Sequence, residues 1–516
     1  MFADNDTRVF EADCTGESPM SNRCFTLFIL AIALSASAAA APGGTVTLPQ
    51  DKFGGYFYRM PEHGLVWPRS SDEIHRALNA YDEGFDGMYF EELGQNLGNF
   101  PGLQQWSKPG EEAAIGRGEL LSFFNHDLSI AGTRPLTPAQ AKSVLSTELL
   151  HLVGWHGPHD AEYIKHIVTN REVRYVFLAG TGRYSLKAEG VEELAGGRDL
   201  AGLGLAGQGV SDEAVILAFC KALQKHRKTL RYLYLERLAP QMLPYLSELK
   251  KLETLEIVSL NGRWTETQAA EWNSFLSAQG RLRQVYLTDS QFTDDWLTPL
   301  AAATNLRALS VNSDATGSFL GALKLAKLEE INLQCAKLAT LEPLAGCKSL
   351  RRVFVRHCAT AETLASLLKL YWLELLLLRD CAGVDDAFVE GMNCKQLRAL
   401  ELSGKTKLTV KGLDRIGEFE SLYSLNLSSQ PLTDEILIRY AKELEQLVNL
   451  DIPKGCEPGE AAIDAWLQHR NVRSFDFEFK RISQAKLYEM IEHLRANCRK
   501  WSERRKDKSD SFKVGR

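Results

Sequence analysis

The sequence predicts an α/β solenoid of stacked units, each a short strand followed by a helix or turn. Two observations predict it. A triplet of apolar residues spaced i, i+3, i+5 recurs fourteen times in succession, with starts 22 to 30 residues apart and 22 to 25 apart after Leu282. A hydroxyl residue followed by aspartate, a helix-start pair, lies six residues beyond the triplet in Ser211-Asp212, Thr293-Asp294 and Thr433-Asp434. One such unit has no partner for its apolar side, so it requires neighbours.

The stretch from Leu282 to Asn305 shows the whole unit. Leu282, Val285 and Leu287 suit a strand whose alternate side chains point inward. Ser290 then stands where a small polar residue meets buried backbone groups at a turn, Thr293-Asp294 starts a helix, and Leu297 and Leu300 return to the core. The triplets begin at Leu150, Val173, Leu200, Leu230, Leu252, Leu282, Leu306, Leu328, Leu350, Leu373, Leu397, Leu422, Leu447 and Val472. After Ser211-Asp212, the residues Ile216, Phe219, Cys220 and Leu223 form one apolar helical stripe.

On these triplets, the cysteine or small polar residue that follows them and the Thr-Asp pairs, the sequence resembles the leucine-rich-repeat superfamily, and within it the cysteine-containing, ribonuclease-inhibitor-like class. The resemblance spans Leu150 to Phe477 and is poor before it. It implies a horseshoe whose concave parallel sheet binds other macromolecules. Two departures stand out. The asparagine of plant-type repeats is absent, and the units between Leu306 and Leu350 are too short for a full helix, so a turn or single helical turn is expected there.

The remainder divides around this array, taken as residues 149–480. Residues 1–41 read as a mis-started leader and signal peptide: from Met20 there is a short basic region with Arg23, an apolar run from Phe25 to Leu34, and small residues near Ala38 to Ala41. This implies export to the periplasm or the exterior, with no stable membrane span after cleavage. A membrane anchor over residues 25–41 is the alternative. Residues 42–148 read as an N-terminal cap with degenerate repeats, or else a small separate domain. Residues 481–503 suit a capping helix entered at Ser483, with Leu487, Met490, Ile491, Leu494, Cys498 and Trp501 on one face, and 504–516 a disordered basic tail.

A net charge of −6 over 516 residues does not call for nucleic acid as a partner. No C-x-x-C pair occurs, which disfavours a cysteine zinc site. Cys358 and Cys381 occupy equivalent places in adjacent repeats, where a bridge is within reach, yet an interior ladder position favours buried free thiols.

Residues flanking the middle of each triplet are expected on the concave face. Those candidates are Tyr175, Phe177, Tyr232, Tyr234, Gln284 and Tyr286 in an aromatic early zone, and Arg352, Phe354, Arg356 and Arg379 further along, ahead of an acidic late zone. Exposed aromatics and arginines favour a binding surface, although strands are rich in aromatics for packing reasons alone. A protein or peptide partner follows, with a glycan stacked on the tyrosines as the alternative. His151, His156, His159, Asp160, Glu162 and His166 lie within 16 residues and include metal-ligating types. The same stretch reads as an ordinary turn, and H-E-x-x-H, G-x-S-x-G and a phosphate loop are all missing. No cofactor and no enzymatic activity are expected.

Overall fold

Among the described residues, spatial order follows chain order through a parallel sheet of fourteen strands in the computed structural model. β1 spans Leu152–Trp155, β2 Tyr175–Gly180, β3 Gly202–Gly207, β4 Tyr232–Leu238, β5 Thr254–Leu260, β6 Gln284–Thr288 and β7 Ala308–Ser313. β8 covers Glu330–Cys335, β9 Arg352–Arg356, β10 Leu375–Arg379, β11 Ala399–Ser403, β12 Ser424–Asn426, β13 Asn449–Asp451 and β14 Ser474–Asp476. The structure describes residues 152–155, 159–171, 173–180, 184–358, 360–430, 432–453, 456–476, 482–483, 485–494, 496–497 and 500. All belong to one of the two units into which the chain divides, the one containing Leu145–Arg516. The readings made for residues 1–148 and 504–516 therefore lie outside the described residues, as do Cys498 and Trp501.

The register is uniform. Val176, Leu203, Leu233, Leu255, Val285 and Leu309 stand side by side on consecutive strands, and the row continues through Ile331, Val353, Leu376, Leu400, Leu425, Leu450 and Phe475. Every triplet residue whose burial is described is at most 6% exposed. A strand whose alternate residues all meet a core, paired in parallel with the unit before and after, is what the i, i+3, i+5 spacing encodes. The fold is a leucine-rich-repeat solenoid.

The convex side varies as repeat length dictates. The longer units carry helices at Glu213–His226, Glu266–Ser277 and Asp434–Glu443, whereas the 22-residue units use 3-10 turns at Ser318–Ala322, Leu325–Lys327 and Glu342–Gly346. The stripe of Ile216, Phe219, Cys220 and Leu223 is buried as its spacing requires. Capping follows the polar pairs: Asp212 accepts from the Ala214 N–H at 2.9 Å, and Thr433 from that of Ile436 at 3.4 Å. The aspartate of the pair also reaches into the next repeat. Asp294 accepts from the backbone N–H groups of Thr316 (2.8 Å) and Phe319 (3.0 Å), Asp386 from those of Thr409 (2.8 Å) and Gly412 (3.2 Å), and Asp434 from that of Gly459 (3.0 Å). Ser483 accepts from the Lys486 N–H at 3.3 Å, and in the helical segment it leads into, Met490 is fully buried. Asn497 donates to the carbonyls of His469 and Val472 in the last repeat.

Ser290 does not meet the turn as expected; it is exposed. Asp289 takes that role, accepting from the N–H groups of Leu260 and Gln291, both at 2.9 Å. The reason is backbone conformation. After β9 and β10 the residue preceding the cysteine, His357 or Asp380, adopts a left-handed conformation with φ of 65° and 55°, and this swings Cys358 and Cys381 into the core. Asp289 has no such φ, so the residue after it faces water. Cys358 and Cys381 are free thiols, and burial pushes the Cys381 thiol up to about 12, which keeps it protonated and unreactive.

Two buried imidazoles tie repeats together. His226 accepts from the Leu200 N–H at 3.1 Å through Nδ1 and donates to the Leu194 carbonyl at 2.9 Å through Nε2. His469 accepts from Val472 N–H at 3.1 Å and donates to the Leu444 carbonyl at 2.9 Å. Each imidazole is held neutral, with burial lowering its pKa against the opposing pull of the carbonyl.

Leu287→Ala is expected to cost about 2–5 kcal/mol in denaturant unfolding, and Ser290→Ala to stay within about 0.5 kcal/mol; equal effects would contradict the packing described. For His226, protonation is easier in the unfolded chain, so stability falls as pH drops below about 6.5. His226→Gln is expected to flatten part of that decline, which unfolding curves collected across the window would show.

Candidate binding surface

Two columns of side chains lie on the concave face because the strand period of two directs them away from the core. One column runs Phe177, Gly204, Tyr234, Glu256, Tyr286, Ser310, Asn332, Phe354, Leu377, Glu401, Asn426, Asp451 across paired positions. The other includes Gly202, Tyr232, Thr254, Gln284, Ala308, Glu330, Arg352 and Leu375. Arg356 and Arg379 form a pair in a third column at the far ends of β9 and β10.

The early zone is packed rather than open. Gly204 leaves room for the Phe177 ring, which a methyl group there would overlap. Phe177 meets Tyr232 edge-on at 5.3 Å between ring centres. The Tyr232 hydroxyl donates to Glu256 at 3.1 Å. Tyr232 is only 5% exposed and Gln284 only 1%, so neither is the exposed contact residue its column suggested. Phe177, Tyr234 and Tyr286 keep part of their surface exposed. Burial, followed by the charge of Glu256, holds the Tyr232 and Tyr234 phenols well above the usual range, so they act as neutral donors and never as phenolates at physiological pH. Tyr175 lies in register with Gly202 at the start of this zone.

The arginine zone is arranged differently. Phe354 and Leu377 sit side by side on β9 and β10 and are partly exposed. Arg352 and Leu375 flank them on one side, Arg356 and Arg379 on the other. Each arginine has a carboxylate in a neighbouring repeat: Arg352 lies 3.7 Å from Glu330, Arg356 3.4 Å from Asp380, and Arg379 grips Glu401 with two bonds of 2.7 and 2.9 Å. Ser403 gives Glu401 a further bond of 2.7 Å. The acidic late zone is therefore altered at its first member, because Glu401 is buried and neutralised by Arg379. Glu401 fixes the Arg379 guanidinium plane beside an apolar strip, and Arg379 remains exposed.

β6 and β9 are three strand spacings apart, about 14 Å along the sheet, so the two zones are separate patches with polar Ser310 and Asn332 between them. Glu330 and Asp380 were the residues missed in the sequence. The triplet alignment holds the signal for Glu330, since it places Glu330 next to Arg352 in one column.

Only part of the histidine cluster falls among the described residues. His159 is buried ahead of the helix Ala161–Thr169, and His166 lies within that helix; His151 and His156 fall outside the described residues. Among the described residues no group of three or more His, Cys, Asp or Glu is placed to hold a metal ion, and no helix is long and apolar enough to cross a membrane.

No protein-family model and no curated protein sequence matches the chain. Solved structures similar to it include an internalin (inlF) of Listeria monocytogenes, 16% identical over 70% of this chain and 90% of that one, with a TM-score of 0.34. Another is in the yeast Rad7 and Elc1 complex, 16% identical over 70% and 89% with a TM-score of 0.41. A third is in the Toll–Spatzle complex of Drosophila, 12% identical over 66% and 53% with a TM-score of 0.34. They say nothing of what this chain binds.

Removing Arg379 strands the buried Glu401 carboxylate with Ser403 alone. Because the arginine is itself half exposed, Arg379→Ala is expected to cost about 1–3 kcal/mol in chemical denaturation. Adding Glu401→Gln to that variant should recover part of the loss; a double variant as weak as the sum of the singles would contradict the coupling.

Proposed function

We propose that this chain is an exported, non-enzymatic repeat scaffold that holds a protein or peptide through the concave surface of β9 and β10. The observation that carries the reading is the partly exposed Phe354–Leu377 strip bracketed by Arg352, Arg356 and Arg379. Apolar anchors rimmed by guanidinium groups, one of them already fixed by Glu401, have the composition of binding hot spots and lose less freedom on binding. The partly exposed Tyr234 and Tyr286 form a second, separate patch nearer the start of the array. Export rests on the apolar run after Met20. Membership of the cysteine-containing class is supported by Cys358 and Cys381 in the turns after β9 and β10, with Thr360 and Asp385 at the helix starts that follow.

Panning a displayed peptide library against the full chain tests the reading. Selected peptides are expected to lose at least tenfold in affinity against Phe354→Ser or Leu377→Ser, with the melting temperature close to that of the parent. Failure to select peptides, together with retention of oligosaccharides from a glycan array, would overturn it in favour of sugar binding.

A further inference from the structure

Two residues immediately precede each triplet, and before β10 they lie between buried apolar anchors. Before β10 the anchors are Leu370 and Leu373, both buried, with the Leu373 N–H donating to the Leu370 carbonyl at 3.4 Å. The chain is held on both sides, so the intervening pair must face water. In the other repeats from Leu200 onward that pair is small or polar: Arg198-Asp199, Lys228-Thr229, Lys250-Lys251, Gly280-Arg281, Thr304-Asn305, Ala326-Lys327, Lys348-Ser349, Lys395-Gln396, Glu420-Ser421, Glu445-Gln446 and Arg470-Asn471. Before β10 it is Tyr371-Trp372, 55% and 51% exposed. Two adjacent large aromatics held out in water, at a position otherwise given to polar residues, are a costly surface with no role in packing.

Charge identifies what covers them. In the stacked repeats Tyr371 stands between Lys348 and Lys395, with Lys369 two residues before it, and all three lysines are exposed. None of the three ammonium groups has an ion pair among the described residues; the nearby carboxylate of Glu374 is taken by Arg351 at 3.8 Å. Lys348 and Lys395 are two repeats apart, about 10 Å, the length of roughly three residues of extended peptide. Glu420 occupies the next stacked position and ends the basic stretch. A continuous phosphate backbone would be repelled there, and two side chains are too small an apolar area to seat in a bilayer.

We infer that the Tyr371-Trp372 rim is a second docking site, distinct from the concave strip, for a short extended acidic segment of a partner protein. The segment places an apolar side chain against the rings of Tyr371 and Trp372 and its carboxylates on Lys348 and Lys395.

The probe is a fluorescein-labelled peptide of alternating glutamate and leucine, titrated with the full chain by anisotropy. Binding is expected to weaken as salt is raised. It should fall at least tenfold in Tyr371→Ser/Trp372→Ser and in Lys348→Glu/Lys395→Glu, and be unchanged in Lys250→Glu/Lys251→Glu, the equivalent pair in an earlier repeat. Melting temperatures near that of the parent exclude unfolding as the cause, since every replaced side chain is exposed. No binding, equal binding of a lysine–leucine peptide, unaltered affinity in the aromatic variant, or tighter binding to phosphatidylserine vesicles or a thymidine oligomer would each overturn the inference.

Discussion

The whole array depends on main-chain hydrogen bonds between repeats. They extend beyond the strands themselves: the residue entering each strand donates to its counterpart one repeat earlier, from Glu253 to Arg231 at 2.7 Å, Arg283 to Glu253 at 2.8 Å, and Arg307 to Arg283 at 2.7 Å. The series continues through Glu329, Arg351, Glu374, Arg398, Tyr423, Val448 and Arg473. A parallel ladder of this kind has no local partner to fall back on. The triplets exist to keep it in register, because a slip by one residue would turn every Leu and Val of a strand from the core to water.

This constraint divides the residues by task. Side chains pointing inward are nearly invariant in type along the array, and the convex side changes only as unit length allows. Inter-repeat ties fill the remaining polar needs: Asp294, Asp386 and Asp434 serve the next turn, and His226 and His469 serve backbone groups beneath the helices. What is left free to vary is the concave columns and the pairs before each triplet. There the residues change from tyrosine to arginine to acid, and from lysine to Tyr-Trp, without disturbing the ladder. Arg379 shows where the division blurs, since its grip on buried Glu401 makes it both a surface contact and a structural tie.

The ladder was legible because burial repeats at a fixed spacing, and the short turns between Leu306 and Leu350 were legible from length alone. Side-chain accessibility was not. Tyr232 and Gln284 share columns with partly exposed residues, yet Phe177 and Glu256 close over Tyr232, an effect of neighbours in space that no single repeat records. Ser290 and Cys358 occupy the same sequence position, and only the left-handed φ of His357 separates a solvent residue from a core one. The aromatic pair at Tyr371-Trp372 was readable from a column comparison, but apolar residues next to a leucine triplet pass easily for part of the core pattern.

The central claim is that the residues building the solenoid and the residues forming its binding surface are separate sets. A substitution library across residues 350–403, scored both for folded abundance and for capture of a selected peptide, tests it most directly. Replacements at Val353, Leu376 and Leu378 should lower abundance and capture together, whereas those at Phe354 and Leu377 should lower capture while abundance holds. If Phe354 and Leu377 depress abundance as strongly as their buried neighbours, or if capture never separates from abundance, the claim is contradicted.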